Sequence, residues 1–161
     1  MSRNPRSPLY FAYGSNMNHK QMQRRCPGAV CLGGCELPGH VIAFQDYSAT
    51  WAGGVANVVP CDNGAVMGMV WRLSKSSLHK LDGYEGFPVV YDRALMPVFA
   101  TTTGEKHQAW VYYKDPHTPW YPPVDDYFDL IYRVYLKQRF DLKPLFGAFA
   151  KAKRLADDMD L

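Results

Sequence analysis

Leu9-Tyr10-Phe11-Ala12-Tyr13-Gly14-Ser15-Asn16-Met17 carries an apolar strand straight into a short polar turn with no spacer between them. Gly14 lacks the Cβ that would hold a ligand away from the backbone, and Ser15 and Asn16 bring short side chains that tolerate unusual dihedrals. Successive amide N–H groups in such a turn can cradle a carboxylate or a carbonyl oxygen. The same residues also suit an ordinary strand-ending turn. Residues 18–25 can form a helix immediately afterwards, capped by Asn16 or Asn18, and its positive end would then lie beside the turn.

A second informative segment follows some way along the chain, at Leu81-Asp82-Gly83-Tyr84-Glu85-Gly86-Phe87, with Tyr91 and Arg93 close behind. Leu73-Ser74-Lys75-Ser76-Ser77-Leu78 opens a helix in front of it, with Ser74 as N-cap and Leu73 and Leu78 as a hydrophobic staple. Leu78 and Leu81 share its inner face. Gly83 is expected to end that helix, since the residue past the last turn commonly needs positive φ. Glu85 would then emerge from a helix end, held by structure; a solvated loop glutamate is the plain alternative.

Strand-like runs at residues 9–13, 30–37, 40–46, 55–60, 65–73, 89–100 and 107–114 are short and rich in β-branched and aromatic residues. Asn63-Gly64 and Thr103-Gly104-Glu105 read as hairpin turns. Pro97 places its strand at an edge or a bulge. Tyr127, Ile131, Val134 and Tyr135 mark an amphipathic helix over about 125–140, and Pro144 opens another over about 143–156, with Leu145, Phe149 and Ala152 on one side. Between the last strand and these helices, Lys114 to Pro123 carries four prolines and cannot be regular structure. It suits either a wall or lid over a pocket or a packed connector. These elements predict an α+β fold, a small mixed β-barrel with flanking helices. Residues 1–8 are expected to be a flexible N-terminus, 9–156 a single domain and 157–161 an acidic tail.

A chain of 161 residues suits one core-bearing domain, and its 47% apolar and 20% charged residues are those of a globular protein. A net charge of +3 with no basic stripe argues against nucleic-acid binding. No apolar run reaches the roughly 18 residues of a membrane span, and residues 1–8 lack the apolar centre of a signal peptide, so a cytoplasmic protein is expected. Cys26, Cys31, Cys35 and Cys61 lack the paired spacing of a zinc site and are read as reduced, mostly buried thiols. No metal and no cofactor is expected.

Tyr13-Gly14-Ser15-Asn16 and Leu81-Asp82-x-x-Glu85-Gly86, in this order and on these elements, resemble the paired motifs of the gamma-glutamylcyclotransferase (AIG2-like) family, over roughly residues 9–140. The resemblance implies a compact α and β barrel that releases 5-oxoproline from a γ-glutamyl amino acid or a related small γ-glutamyl conjugate. It implies Glu85 as the catalytic general base and acid. It also implies substrate binding by Tyr13, by the Gly14, Ser15 and Asn16 backbone, and by Tyr112 and Tyr127. Tyr112 adjoins Tyr113, and Tyr127 equally continues an apolar helix stripe. Cyclisation brings its own nucleophile, the substrate's α-amine, so no Ser, Cys or metal activation is required. Glu85 is expected in an apolar, aromatic setting that raises its pKa, with Tyr84 and Phe87 as shields. Asn57 and Arg93 are candidates for supporting the site or for turn and surface roles. The Phe87-Pro88 pair beside Glu85 leaves the leaving group open, and a γ-glutamylamine cyclotransferase is an alternative. A binding module without turnover and a cysteine or metal hydrolase with His19 or His40 are the rivals from other classes. The oligomeric state is not legible, and a homodimer is left open.

Overall fold

In the computed structural model, which describes residues 7–159, five strands close into a barrel in the order β1, β3, β2, β4, β5. The strands are β1 (Leu9–Ala12), β2 (Val30–Ser48), β3 (Gly53–Arg72), β4 (Asp92–Ala100) and β5 (Lys106–Tyr113). Closure comes from β1, which pairs antiparallel with β3 and parallel with β5 at Tyr10 and Trp110. The sheet is therefore mixed, and Phe11, Phe44, Val70, Trp71 and Val111 are fully buried within it. Helices α1 (His19–Arg25), α2 (Lys75–Glu85), α3 (Asp125–Gln138) and α4 (Lys143–Met159) lie outside the barrel. None of them is long and apolar enough to cross a membrane.

Two long strands replace four short ones. The runs 30–37 and 40–46 are one strand, β2, bent at Gly39, where φ is 74°. The runs 55–60 and 65–73 are likewise one strand, β3. Asn63-Gly64 is therefore no hairpin: Pro38 pairs with Ala65 and His40 with Pro60, so residues 61–64 bulge out of a ladder that keeps its direction. Asn63 takes the positive φ of 66° that a turn would also need, which is why the local signal misleads. The other hairpin, at 101–105, joins β4 to β5 as expected. Pro97 pairs with Gln108 of β5 on one side, while β2 meets β4 only at Phe99 and Ala100, so Pro97 lies on a stretch of β4 whose other edge is unpaired in the sheet.

Burial on α3 follows the expected period at Tyr127, Ile131 and Tyr135. On α4, Leu145, Ala148 and Ala152 face inward, and Phe149 packs 4.9 Å from Phe128. That helix continues to Met159, into the segment expected to be tail. Residues 1–6 of the expected flexible N-terminus lie outside the described residues, and the Pro8 carbonyl accepts the Leu73 amide at 2.9 Å. Cys26 and Cys35 are buried and Cys31 is partly so, whereas Cys61 is exposed because it sits on the 61–64 bulge.

Candidate active site

Ser74 caps α2 by accepting the Ser77 amide at 3.0 Å, and Leu78 and Leu81 anchor the helix on the core. The helix runs through Gly83 and ends at Gly86, whose φ of 67° is the left-handed conformation a C-cap requires. Glu85 is thus the last helical residue, rigid in backbone and facing inward. Past it the chain turns before β4 begins at Asp92, so Val89, expected in a strand, is 91% exposed. Pro88 lacks the N–H a ladder needs there.

On the opposite wall, β1 passes into a single 3-10 turn over Ser15–Met17, closed by the Met17 amide on the Gly14 carbonyl at 3.1 Å. The Ser15 and Asn16 amides head this turn, where no intrahelical acceptor exists for them. Gly14 is needed for close approach, because a Cβ there would lie 3.1 Å from the Tyr127 hydroxyl. Asn18 caps α1 by accepting the Gln21 amide at 2.9 Å.

Asn16 joins the two walls. Its Oδ1 accepts from Gln21 Nε2 at 2.8 Å and from Arg25 Nη1 at 3.0 Å. Two donors on that atom fix the orientation of the amide. Its Nδ2 consequently donates to Glu85 Oε1 at 3.2 Å and to the Tyr10 hydroxyl at 3.1 Å. A cavity of about 390 Å³ lies between the walls, and Glu85, Tyr13, Gly14, Ser15, Asn16, Tyr112 and Tyr127 all border it.

Glu85 is partly accessible, and burial among protein groups pushes its carboxyl up to about 7, against the opposing pull of Arg25 and Lys114. Its aromatic surroundings are not those expected from local sequence. Tyr84 is 58% exposed and lies under the Arg25 guanidinium, while Phe87 packs against Arg93. Tyr84 reaches only the exposed rim of the cavity, and the buried surroundings are Tyr10, Tyr13, Tyr91, Tyr112 and Tyr127, brought by β1, β5, α3 and the turn before β4. Helix geometry explains the difference, since successive helical side chains diverge by about 100° and Tyr84 is turned towards solvent.

The tyrosines differ in what their hydroxyls do. Tyr13 donates to the Tyr112 carbonyl at 2.6 Å, and Tyr91 donates to the Ala56 carbonyl at 2.9 Å. Tyr112 donates to Asp82 Oδ1 at 2.6 Å, so its ring borders the cavity while its proton serves the protein. Tyr113 lies outside the cavity and donates to Asp92. Tyr127 accepts the Ala56 amide at 2.8 Å. Arg93 grips Asp82 through Nε at 2.9 Å and Nη2 at 3.2 Å, and Asn57 is fully buried.

Sequence reasoning missed Tyr10, Arg25, Tyr91 and Lys114 as cavity residues. Tyr10 could have been flagged by its place in the strand that feeds the turn. Lys114 carried no local signal. Its backbone is held by Asn57, through N to Oδ1 at 2.8 Å and O to Nδ2 at 3.2 Å, and its Nζ pairs with Asp46 at 2.9 Å. No three His, Cys, Asp or Glu side chains gather as a metal site among the described residues.

Comparison with known proteins identifies the family of the chain and of its fold. The family described as gamma-glutamyl cyclotransferase, AIG2-like, matches residues 10–128. Gamma-glutamylcyclotransferase of Bos taurus is 37% identical over 89 residues, 53% of this chain and 47% of that protein. The Homo sapiens protein of the same name is 37% identical over 82 residues, 48% of this chain and 44% of its own. The chain thus aligns with about half the length of these curated relatives. A solved gamma-glutamyl cyclotransferase superposes with a TM-score of 0.78 at 26% identity, covering 93% of this chain and 86% of the other. An uncharacterized Homo sapiens protein superposes at 0.76 with the same identity and coverage. From the family match across both walls of the cavity, this chain belongs to the gamma-glutamyl cyclotransferase, AIG2-like family.

Proposed function

We propose that this protein is a gamma-glutamylcyclotransferase that releases 5-oxoproline from small γ-glutamyl compounds in the cytosol, with Glu85 as proton shuttle. The observation that carries the reading is the carboxyl of Glu85, raised to about 7, facing a glycine-bearing amide turn across one cavity. A carboxyl poised near neutral pH can take a proton from an ammonium and return it.

Glu85 first removes a proton from the substrate's α-ammonium. The freed amine attacks the γ-carbonyl carbon, forming a carbon–nitrogen bond while the carbonyl π electrons move to oxygen. Glu85 gives that proton to the leaving nitrogen, whose bond to carbon breaks as the electrons on the oxyanion re-form the carbonyl. The freed carboxylate takes the second proton from the ring nitrogen and passes it to the departed amine, which becomes an ammonium, so two protons leave one nitrogen and two reach the other. Gly14, Ser15 and Asn16 amides hold the γ-glutamyl part, with Tyr13 and Tyr112 shaping the wall and Tyr127 offering its hydroxyl proton to the substrate beside Gly14. Confinement in a cyclisation-ready shape contributes more than the base, since effective molarities of oriented groups reach about 10⁵ M against about 10²- to 10⁴-fold for proton transfer.

The test is 5-oxoproline release from a panel of γ-glutamyl amino acids, γ-glutamylamines and glutathione. The native protein should turn over at least one class, and Glu85→Gln should lose about 10²-fold or more in kcat while still binding that compound in calorimetry. Retention of the native rate by Glu85→Gln removes Glu85 as the shuttle. Binding without release by the native protein favours a module that holds such ligands without turnover.

A further inference from the structure

Seven tyrosines border the cavity; Tyr47 and Tyr84 are exposed at its rim, and the phenol protons of the five buried ones fall into two groups. Tyr13, Tyr91 and Tyr112 each donate to a protein acceptor, namely the Tyr112 carbonyl, the Ala56 carbonyl and the Asp82 carboxylate. Tyr10 and Tyr127 only receive, from Asn16 Nδ2 and from the Ala56 amide, and neither has an acceptor for its own proton among the described residues. A buried hydroxyl whose oxygen is occupied by an incoming donor has a free proton to offer whatever fills the cavity. Accepting that bond also polarises the O–H and strengthens it as a donor.

Tyr127 already belongs to the site read from sequence. Tyr10 does not, and its position is the more telling. Its hydroxyl and Glu85 Oε1 are bound to the same amide nitrogen, Asn16 Nδ2, at 3.1 and 3.2 Å. During ring closure the attacking nitrogen, in reach of Glu85, and the γ-carbonyl oxygen are attached to the same carbon. A donor beside Glu85 therefore stands beside that oxygen.

We propose that Tyr10 is a catalytic residue that donates its phenol hydrogen bond to the γ-carbonyl oxygen as negative charge develops there. This inference rests on the cyclotransferase reading and deepens it. A permanent carboxylate of the substrate is a poorer partner at this place, because it would face the ionised Glu85. The oxyanion instead appears as Glu85 takes up a proton, so the two negative charges do not coincide. Arg25, which borders the cavity with no ion-pair partner among the described residues, is the better placed cation for a fixed carboxylate. Burial, and the nearby Glu85, push the Tyr10 phenol well above its ordinary range, so it stays protonated and able to donate.

Tyr10→Phe keeps the ring and deletes the hydroxyl. With a γ-glutamyl compound that the native protein turns over, it should lower kcat by about 10²- to 10³-fold, the loss typical of one oxyanion donor. KM should stay within about threefold, because the bond forms mainly in the transition state. Asn16 Nδ2 also serves Glu85, so a displaced Asn16 would move the acidic midpoint of the pH–rate profile; that midpoint should stay where it is in the native protein. A kcat within twofold of native, a loss confined to KM, or a shifted midpoint each overturns the assignment. If Tyr10→Phe does not fold, 3-fluorotyrosine at position 10, which is a more acidic donor, should change kcat by more than twofold, and an unchanged kcat overturns it. No 5-oxoproline from the native protein would instead remove the underlying reading.

Discussion

A single carboxamide, that of Asn16, orders the chemistry at the residue scale. Arg25 and Gln21 on one side of it set the amide, and Tyr10 and Glu85 receive from the other. Glu85 titrates at about 7 against an ordinary value near 4.5, the desolvation outweighing Arg25 and Lys114. As base it must be ionised, so kcat/KM should fall about tenfold per pH unit below that point. The same shift has a stability consequence. The folded form binds the proton more tightly than the unfolded chain, so the native fold loses stability as pH rises from 4.5 through about 7. Ionised Glu85 then costs up to about 3 kcal/mol. Glu85→Gln should accordingly raise the melting temperature at pH 8 and raise it less at pH 5. Equal gains at both values would assign the effect to something other than ionisation.

At the scale of the element, α2 is the part that must not move, because Glu85 stands on its last residue. Leu81 seats it in the core, and Asp82, one helical turn before Glu85, is clamped by Arg93 and Tyr112 from β4 and β5. The Arg93 guanidinium lies 4.7 Å from the Phe87 ring centre and 4.2 Å from that of Trp110, so it is held by rings as well as by charge. Loss of one partner of such a largely buried pair costs about 2 kcal/mol after allowance for its partial exposure. Arg93→Met keeps the stem between the rings and removes the charge. It should lower kcat about tenfold with a smaller change in KM, a loss of alignment rather than of contact. Unaltered kcat beside a lowered melting temperature would make the clamp purely structural.

At the scale of the whole molecule the proline-rich connector is packed onto the barrel and borders the cavity through Lys114 alone. Residues 115–123 are fixed on β2 and β3: Asp46 N bonds Pro119 O at 2.8 Å, Tyr121 N bonds Phe44 O at 3.1 Å, and Gly54 N bonds Pro122 O at 2.9 Å. Fully buried Gln45 spans to the Pro116 and Thr118 carbonyls and is itself bound by Asn57. The backbone presses so closely on β3 that a Cβ on Gly54 would fall 1.8 Å from the Tyr121 carbonyl oxygen. Gly54→Ala should therefore cost about 2 kcal/mol or more by forcing the connector off β3, read as a lower denaturation midpoint with unchanged slope. A native midpoint would mean that the connector yields freely and is not held on the barrel by these bonds.

Local chemistry carried much of this protein in the order of its residues. Ser74 and Asn18 as caps, the stripe of α3 and the turn after β1 are legible because each depends on neighbours within a few positions, whereas the pairing of Glu85 with that turn, 69 residues apart, was legible only through the resemblance of the two motifs to a known family. The continuity of β2 and β3 was not, since a bulge at Asn63 and a hairpin look alike until the partner strand is known. Nor was the division of tyrosines into spent and free protons. Tyr13 and Tyr112 are 99 residues apart, and Tyr127 and Ala56 are 71 apart, so their hydrogen bonds exist only after the barrel has closed. Which groups react follows from covalent identity; which are at liberty to react is decided by what the fold places against them.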